Sequence, residues 1–432
     1  MVIVKNNIKK YINLYKNSSR SVKINFIFLS VFILSVFITI FQFIFSAVNA
    51  KYIFEYPLFQ RVRNILFSDF YHVNDMVFEN SPYFEDQSSY PPFVLFLAKF
   101  FALFGDYSKG YGTVVTQPLG VVAVVIYYGL FFASFCFLTY YLFKKDSWKN
   151  WHIAIVLVCF FISAPMIFQF ERGNYIIYAL LFSLIFLCFY NHENKFISEI
   201  ALISLACSVG VKLYPCLFAV LLLKEKKFAK FIRTACYSVI ILILPFLFFE
   251  KGFSNIERFL YWLTAFSGNL TDYGYNYSIV STVEIIATFF GHKLFTSNET
   301  IALLQKILPI IILVFLGISS LFAQKTWQSL CLVTIIIIFF PNISFAYALC
   351  FLIIPIYAFL LEKEKSKIDY FYMALLFLSV CPAFLGYYLK DFAVLINQVV
   401  STFSLILLSL GLVVETIVFQ TKNLIKNKKN AN

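Results

Sequence analysis

The segment INFIFLSVFILSVFITIFQFIFSAV, residues 24–48, contains no charged side chain. About 20 apolar residues let an α-helix cross the ~30 Å hydrocarbon layer of a bilayer, so this segment predicts a membrane-spanning helix. It is longer than the apolar part of a cleavable signal peptide, and it lacks a clear small-residue cleavage site. We therefore expect a signal anchor that remains in the protein.

The composition extends this prediction to the whole chain. Of its 432 residues, 61% are hydrophobic and 20% are aromatic, while only 13% are charged. Soluble domains are about one quarter charged, so the chain is predicted to be an all-α polytopic membrane protein. The nine cysteines lie in or beside apolar runs without the spacing of a zinc site, and we expect them to pack as small hydrophobic side chains.

Apolar runs divide the chain into candidate spans. The runs long enough to cross a bilayer alone are 24–48, 120–143, 151–168, 174–190, 231–249, 302–323, 344–361, 368–389 and 394–419. The runs that suggest half-depth or hairpin segments are 198–209, 213–223 and 328–340. Run 92–105 is too short to cross and is expected in the membrane interface. Together these runs predict about 12 transmembrane helices, within a range of about 10 to 13.

The distribution of lysine and arginine orients these helices. With the N-terminus in the cytoplasm, 23 of the 35 Lys and Arg residues fall in cytoplasmic segments and 12 on the outer side, in agreement with the positive-inside rule. We therefore expect a cell-membrane protein with a cytoplasmic basic N-terminus (1–23), a single transmembrane domain (24–419) and a cytoplasmic basic tail (420–432). Its large outer loops are 49–119 and 250–301. The net charge of +13 then reflects topology and affinity for anionic lipids rather than nucleic-acid binding.

The first outer loop concentrates acidic side chains. Its segment FSDFYHVNDMVFENSPYFEDQSSYPP, residues 67–92, holds five of the 22 acids of the chain, namely Asp69, Asp75, Glu79, Glu85 and Asp86. Two predicted hairpin tips on the same side add Glu171 and Arg172 in FERGNY (170–175) and Lys212 in VKLYP (211–215). Charge at membrane depth is costly unless it faces a cavity or a partner, so these residues are expected to line one outward-opening cleft.

A cleft with carboxylates and cations suits transfer of a sugar from a lipid phosphate to an acceptor hydroxyl. A carboxylate takes the hydroxyl proton as general base, and Arg or Lys side chains neutralise the departing phosphate. Asp69 and Asp75 are six positions apart and would point to different sides of a helix. We therefore expect one of them to act as the base and the other to cap or orient.

Short motifs along the chain carry a family resemblance. They are SDFYHVND (68–75), PYF with SYPPF (82–93), ERGNYIIYALLF (171–182), SVGVKLYPCLFAVLLLKEKK (208–227) and NYSIVSTV (276–283). In this order, over about residues 25–350, they resemble the GT-C superfamily of membrane glycosyltransferases, and most of all glycosyltransferase family 87, the polyprenyl-phosphate-mannose-dependent mannosyltransferases.

The resemblance implies a fold and a reaction. The fold would be of the GT-C type, with interfacial helices in the first outer loop. The reaction would be an inverting transfer of a hexose such as mannose from a polyprenyl-phosphate donor. The acceptor would be a lipid-linked or cell-envelope glycan on the outer face of the membrane.

The resemblance also implies site residues. It places the catalytic carboxylate at Asp69, with Asp75 as the second candidate. The expected substrate-binding residues are Arg172, Lys212, Glu171, Asn174, Tyr90, Arg258, Asn276 and Tyr347. Such enzymes often carry Trp and His where PNISFAYALCF has Phe345 and Tyr347, so no imidazole is expected there. No second ligand is spaced with His72, and we expect no metal or other cofactor, with a divalent cation as the alternative.

Other roles and functions stay open. Loop carboxylates are usually only solvated, Arg172 and Glu171 could form a structural ion pair, and Lys212 could extend to the membrane interface. The alternative functions are a polysaccharide polymerase or ligase of the O-antigen type and, from another class, a lipid-linked-glycan transporter. Polymerases rely on outer-loop arginines and a histidine, and transporters generally show repeated halves. The early concentration of acids favours the glycosyltransferase.

Overall fold

The computed structural model describes residues 19–49, 66–268, 276–289, 299–381 and 396–431. These residues confirm the predicted all-α fold, because no β-strand occurs among them and only an isolated bridge joins Asn276 to Phe345.

The α-helices are, in chain order, α1 (Arg20–Asn49), α2 (Ser68–Met76), α3 (Pro92–Ala102), α4 (Tyr111–Val114), α5 (Pro118–Lys145), α6 (Asn150–Phe161), α7 (Ala164–Arg172), α8 (Ile176–Phe189), α9 (Lys195–Val211), α10 (Val220–Lys224), α11 (Phe228–Ile243), α12 (Asn255–Gly268), α13 (Ile279–Phe289), α14 (Glu299–Phe322), α15 (Thr326–Phe339), α16 (Ile353–Leu361), α17 (Asp369–Val380) and α18 (Ile396–Ala431). Short 3₁₀ helices cover Tyr214–Ala219, Leu244–Phe248, Gly252–Ser254 and Ala346–Leu352.

Helix length and hydropathy fit a polytopic membrane protein. Among the described residues, four helical segments are long and apolar enough to cross a membrane: Arg20–Ile38, Pro118–Lys145, Phe228–Phe248 and Gln398–Asn427. A fifth results if α6 and α7 are counted as one bent span. Several shorter apolar helices of 10–17 residues accompany them. The number of about 12 spans stays a prediction.

The predicted span 151–168 is bent rather than straight. Helix α6 ends at Phe161, α7 begins at Ala164, and the two helices meet at an angle of 59°. Pro165 has no N–H to continue the helical ladder, and its ring would clash with the carbonyl four residues earlier. Ser163 fills the gap by donating its hydroxyl to Phe160 O at 2.6 Å. The bend directs α7 so that it ends at Arg172, beside α2.

Basic loops gather at one end of the molecule. Arg20 donates to Lys365 O at 3.3 Å, Lys325 donates to Glu364 O at 2.9 Å, and Lys363 pairs with Asp146 at 3.3 Å. Lys224 joins them through Lys325 O at 3.4 Å and Ser329 Oγ at 2.6 Å. We call this the basic end.

The acidic segment lies at the other end of α5. Tyr71 of α2 donates its hydroxyl to Gly120 O at 3.2 Å, in the first turns of α5, whereas α5 ends with Lys144 and Lys145 at the basic end. A helix of 28 residues is roughly 42 Å long. We call the end that holds residues 69–86 the acidic end. The two ends therefore differ in charge across the length of a long helix.

Aromatic side chains pack α2 against α3 and α5. Phe70 is fully buried, and its ring centroid lies 4.8 Å from that of Tyr127 in α5, 5.5 Å from Phe101 in α3 and 6.0 Å from Tyr175 before α8. Such ring pairs add packing energy beyond the buried area. Because two helices and the turn before α8 hold Phe70, the neighbouring Asp69 has a defined position.

Several predicted segments lie partly outside the described residues. These are the N-terminus at 1–18, the first outer loop at 50–65, the second outer loop at 269–275 and 290–298, the span 368–389 from residue 382 onward, and the span 394–419 before residue 396. Within the described part, the first outer loop forms α2, α3 and α4, and the interfacial run 92–105 forms α3. Helix α18 continues to Ala431, so the predicted tail 420–432 is helical as far as that residue.

Candidate active site

A cavity of about 490 Å³ opens at the acidic end. Its walls come from α2, the 87–91 segment, the end of α7, the 212–214 turn, α12 and the 341–348 segment. Of the predicted site residues, it brings together Asp69, Tyr90, Arg172, Lys212 and Tyr347. Volumes of this size are usual for sites that bind small molecules.

Asp69 stands in the first turn of α2, where its negative charge complements the helix dipole. Phe67, just before α2, sets this position. It adopts a left-handed conformation with φ of 59°, and its N–H donates to Glu171 O at 2.8 Å. That backbone bond ties the start of α2 to the end of α7. The Asp69 side chain is 9% exposed.

Two side chains from the α7–α8 turn bind the Asp69 carboxylate. Arg172 forms an ion pair with Oδ1, and Asn174 donates its amide N–H to Oδ2 at 2.9 Å. Arg172 therefore pairs with Asp69, 103 positions away in the sequence, instead of forming the alternative ion pair with its neighbour Glu171. Both carboxylate oxygens are engaged, and each still has a lone pair to accept a further proton donor.

Residues that the sequence did not single out hold this turn in place. Tyr127 donates its hydroxyl to Asn174 O at 2.9 Å, and Tyr128 donates to Phe170 O at 2.9 Å. The buried amide of Gln169 also donates to Asn174 O. The last carbonyls of a helix have no partner within the helix, so these side chains satisfy them in a site shielded from water. In the sequence, the only sign of this role for Tyr127 and Tyr128 was that each places a hydroxyl group within an apolar run.

Lys212 reaches the cavity from the opposite side. It follows the last residue of α9 in an extended conformation, and its ammonium lies 4.7 Å from the centre of the Tyr90 ring. This cation–π contact compensates part of the cost of burying the charge. In the part of the chain that the structure describes, no carboxylate lies within ion-pair distance of Lys212. Its charge therefore remains available to an anionic ligand.

Asn276 does not line the cavity, but it positions the 341–348 segment, which does. It is buried, and its side chain accepts the N–H groups of Ser278 at 3.0 Å and Ser344 at 2.9 Å while donating to Asn342 O at 3.1 Å. These bonds hold the 341–348 segment, which presents Tyr347 to the cavity.

The remaining predicted residues lie near the cavity but do not line it. Asp75 is on α2 beyond Asp69; burial raises its pKa, while the Tyr111 N–H and His72 oppose that shift. Arg258 lies over the Phe84 ring, 5.2 Å from its centre. Glu171 is buried in the last turn of α7. Asn174 contacts the site only by donating a hydrogen bond to the Asp69 carboxylate.

Within the described ranges, no group of three His, Cys, Asp or Glu side chains lies close enough to share a metal ion. His72 lines the cavity, with its ring 5.4 Å from that of Tyr111. The expectation that no metal is required stays a prediction.

A family model matches the chain over residues 89–344, more than half of its length. The chain belongs to glycosyltransferase family 87. This membership makes it a glycosyltransferase and decides against the transporter alternative. No curated protein matches the chain.

Gly173 offers a test of this geometry. Its φ of +69° favours glycine, and a Cβ there would lie 2.9 Å from Phe70 Cβ and 3.1 Å from Phe67 Cα. Gly173→Ala should therefore displace Arg172 and Asn174 from Asp69 and lower sugar transfer by about 10²-fold. Transfer would be measured on purified protein together with its melting temperature.

The matched control is Gly129→Ala in α5, where an added Cβ meets nothing within 4 Å. Alanine favours a helix by up to about 1 kcal/mol over glycine, so this variant should keep its activity and its stability. Full activity of Gly173→Ala would show that the turn tolerates movement and that the geometry around Asp69 is not required.

Proposed function

We propose that this protein transfers a sugar from a polyprenyl-phosphate donor to the hydroxyl of a lipid-linked or cell-envelope glycan. The observation that carries the proposal is the cavity at the acidic end, in which Asp69, Arg172 and Lys212 meet. The resemblance to polyprenyl-phosphate-mannose-dependent enzymes supports a hexose such as mannose as the transferred sugar.

The charge of the cavity supports a phosphodiester donor. Its described lining contains one carboxylate, Asp69, and two basic side chains, Arg172 and Lys212, which leave one positive charge when all three are ionised. A sugar linked to a lipid through a phosphodiester carries one negative charge and would neutralise it. Arginine and lysine are the side chains that bind phosphate most strongly through charge-assisted hydrogen bonds.

These positions support a single-displacement reaction. The acceptor hydroxyl attacks the anomeric carbon, the bond from that carbon to the phosphate oxygen breaks, and the lipid phosphate leaves with the electron pair. Asp69 accepts the hydroxyl proton as general base. Arg172 and Lys212 stabilise the second negative charge that develops on the phosphate. Attack on the face opposite the phosphate inverts the anomeric configuration.

Aromatic side chains would hold the sugar. Tyr90 and Tyr347 line the cavity, and Tyr347 stacks on Phe168 with a centroid distance of 6.0 Å. Tyrosine combines an apolar ring face with a hydroxyl that donates and accepts hydrogen bonds. This is the combination that a sugar ring with apolar faces and equatorial hydroxyls requires.

The charge difference between the two ends supports the outer face as the site of transfer. Cytoplasmic loops are enriched in Lys and Arg, so the basic end would face the cytoplasm and the cavity the outside. The donor tail would lie in the bilayer while its head enters the cavity. The partners would then be the lipid donor, the glycan or glycolipid acceptor and membrane lipids.

The role of Asp69 is tested by Asp69→Asn. Asparagine keeps the shape and can still accept the Asn174 hydrogen bond, but it cannot take a proton from the acceptor. Loss of a general base typically lowers the rate by about 10²- to 10⁴-fold. Turnover of a radiolabelled polyprenyl-phosphate sugar with a lipid-linked glycan acceptor should fall by this amount, while donor binding stays near normal. The melting temperature of the variant would measure the stability lost when Arg172 loses its charged partner.

Asp75→Asn is the matched control, because Asp75 lies on the same helix and does not line the cavity. It should retain most of the activity. An inactive Asp75→Asn beside an active Asp69→Asn would transfer the role of base to Asp75, and full activity of both would refute the mechanism.

Lys212→Met tests phosphate recognition. Methionine keeps much of the length and apolar stem but loses the charge. A charge-assisted contact contributes about 1.5–3 kcal/mol, so the efficiency of donor use should fall by roughly 10- to 100-fold. Lys251→Met is the control, since Lys251 also lies over an aromatic ring, 3.6 Å from the centre of Phe84, and does not line the cavity. Equal donor kinetics in the two variants would assign Lys212 a structural role.

Single cysteines at exposed positions test the orientation. Glu85→Cys lies at the acidic end and Ser147→Cys at the basic end, and both positions are exposed. In a background without the native cysteines, a membrane-impermeant maleimide applied to intact cells should label residue 85 and not residue 147. Labelling of residue 147 alone would place the cavity in the cytoplasm.

A further inference from the structure

A second cavity, of about 570 Å³, lies at the basic end between α1, α6 and the segment that follows α16. Gly120, which accepts the Tyr71 hydroxyl at the acidic end, and Asp146, which lines the second cavity, stand at opposite ends of α5, roughly 40 Å apart at about 1.5 Å per residue. Asp69, Arg172 and Lys212 do not line this second cavity. It is therefore a separate site.

The mouth of this cavity is polar and its charges cancel. The charged residues that line it are Asp146, Lys149, Glu362 and Lys363, two of each sign. Asp146 and Lys363 form an ion pair at 3.3 Å, with 30% and 82% of the side chains exposed. A ligand at this mouth meets both carboxylates and ammonium groups with no net charge. Charge complementarity therefore favours a zwitterion over an anion.

The inner wall is apolar and ends at exposed apolar side chains. Leu29 and Ile33 of α1 and Ile155 of α6 line it, while Phe26 and Trp151 stand at the rim, 59% and 57% exposed. Tryptophan is enriched where a membrane protein passes from hydrocarbon to headgroups. The cavity thus has a charged mouth at the helix ends and an apolar wall along the helices, which is the polarity of a lipid.

We propose that this cavity binds a zwitterionic phospholipid with a primary ammonium headgroup, such as phosphatidylethanolamine. Lys149 would contact the phosphate, and the carboxylates of Asp146 and Glu362 would accept hydrogen bonds from the ammonium. An acyl chain would follow Leu29 and Ile33. The proposal does not depend on the sugar-transfer reaction, because it uses a different set of residues at the other end of the molecule.

Native mass spectrometry of the purified full-length protein tests the occupant. After delipidation, the protein would be exposed to equal concentrations of phosphatidylethanolamine, phosphatidylcholine or phosphatidylglycerol. The ammonium of phosphatidylethanolamine donates hydrogen bonds and that of phosphatidylcholine does not, which should favour the former by roughly 2- to 10-fold. Equal retention of the three lipids, or stronger retention of phosphatidylglycerol, overturns the proposal.

A filling variant separates this site from general lipid binding. Ser30 is exposed and lines the cavity, whereas its neighbour Val31 is exposed and does not. Ser30→Trp should lose one bound phosphatidylethanolamine per protein, and Val31→Trp should keep it. The same loss in both variants, or in neither, contradicts a site in this cavity. Melting temperatures would show whether each variant is folded.

A change of charge at the mouth provides the sharpest test. The double variant Asp146→Asn, Glu362→Gln leaves Lys149 and Lys363 and makes the mouth doubly positive. Its preference should shift from phosphatidylethanolamine to the anionic phosphatidylglycerol. The control Glu193→Gln, Glu364→Gln removes two exposed acids that do not line the cavity and should keep the original preference. An unchanged preference in the first double variant refutes the assigned headgroup.

Discussion

The ion pair between Asp69 and Arg172 is the contact on which the candidate active site depends. It joins the first polar segment after the N-terminal span to the turn between α7 and α8, 103 positions later. Asn174 adds a second bond to the same carboxylate, and the Phe67 N–H adds a backbone bond to Glu171 O. Removing one partner of a buried pair leaves an uncompensated charge, which typically costs about 3–5 kcal/mol. Loss of either partner alone is therefore expected to destabilise the site.

The turn that carries Arg172 is itself held by hydrogen bonds from side chains of α5. A helix that ends inside a membrane protein leaves carbonyls that water cannot satisfy, and each costs free energy unless a side chain donates to it. Tyr127 and Tyr128 supply those donors from adjacent positions of α5, and Gly173 allows the left-handed turn. Helix α5 thus has a role at the site in addition to being long and apolar enough to cross a bilayer. It fixes the carboxylate and the guanidinium relative to each other.

Composition and the lengths of the apolar runs predicted the fold class, because hydrocarbon thickness imposes a length on every spanning helix. The bend before α7 was also encoded locally, at Pro165, although the run 151–168 was interpreted as one span. The partnership of Asp69 with Arg172 could not be predicted from spacing, since nothing local relates residues so far apart. Asn276 shows the same limit: its role lies in backbone hydrogen bonds to the 341–348 segment, which only the folded chain brings together.

On the proposed mechanism, the arrangement keeps the net charge of the cavity constant. Before transfer, Asp69 and a monoanionic donor balance Arg172 and Lys212. After transfer, a protonated Asp69 is neutral and the leaving phosphate carries two negative charges, so the sum is again zero. In a cavity of low dielectric, creating a net charge would be far more costly than in water. Arg172 touches the carboxylate that loses charge and lines the cavity in which the phosphate gains it. A base already paired with an arginine is therefore suited to this reaction, because the same guanidinium can follow the negative charge from the carboxylate to the phosphate.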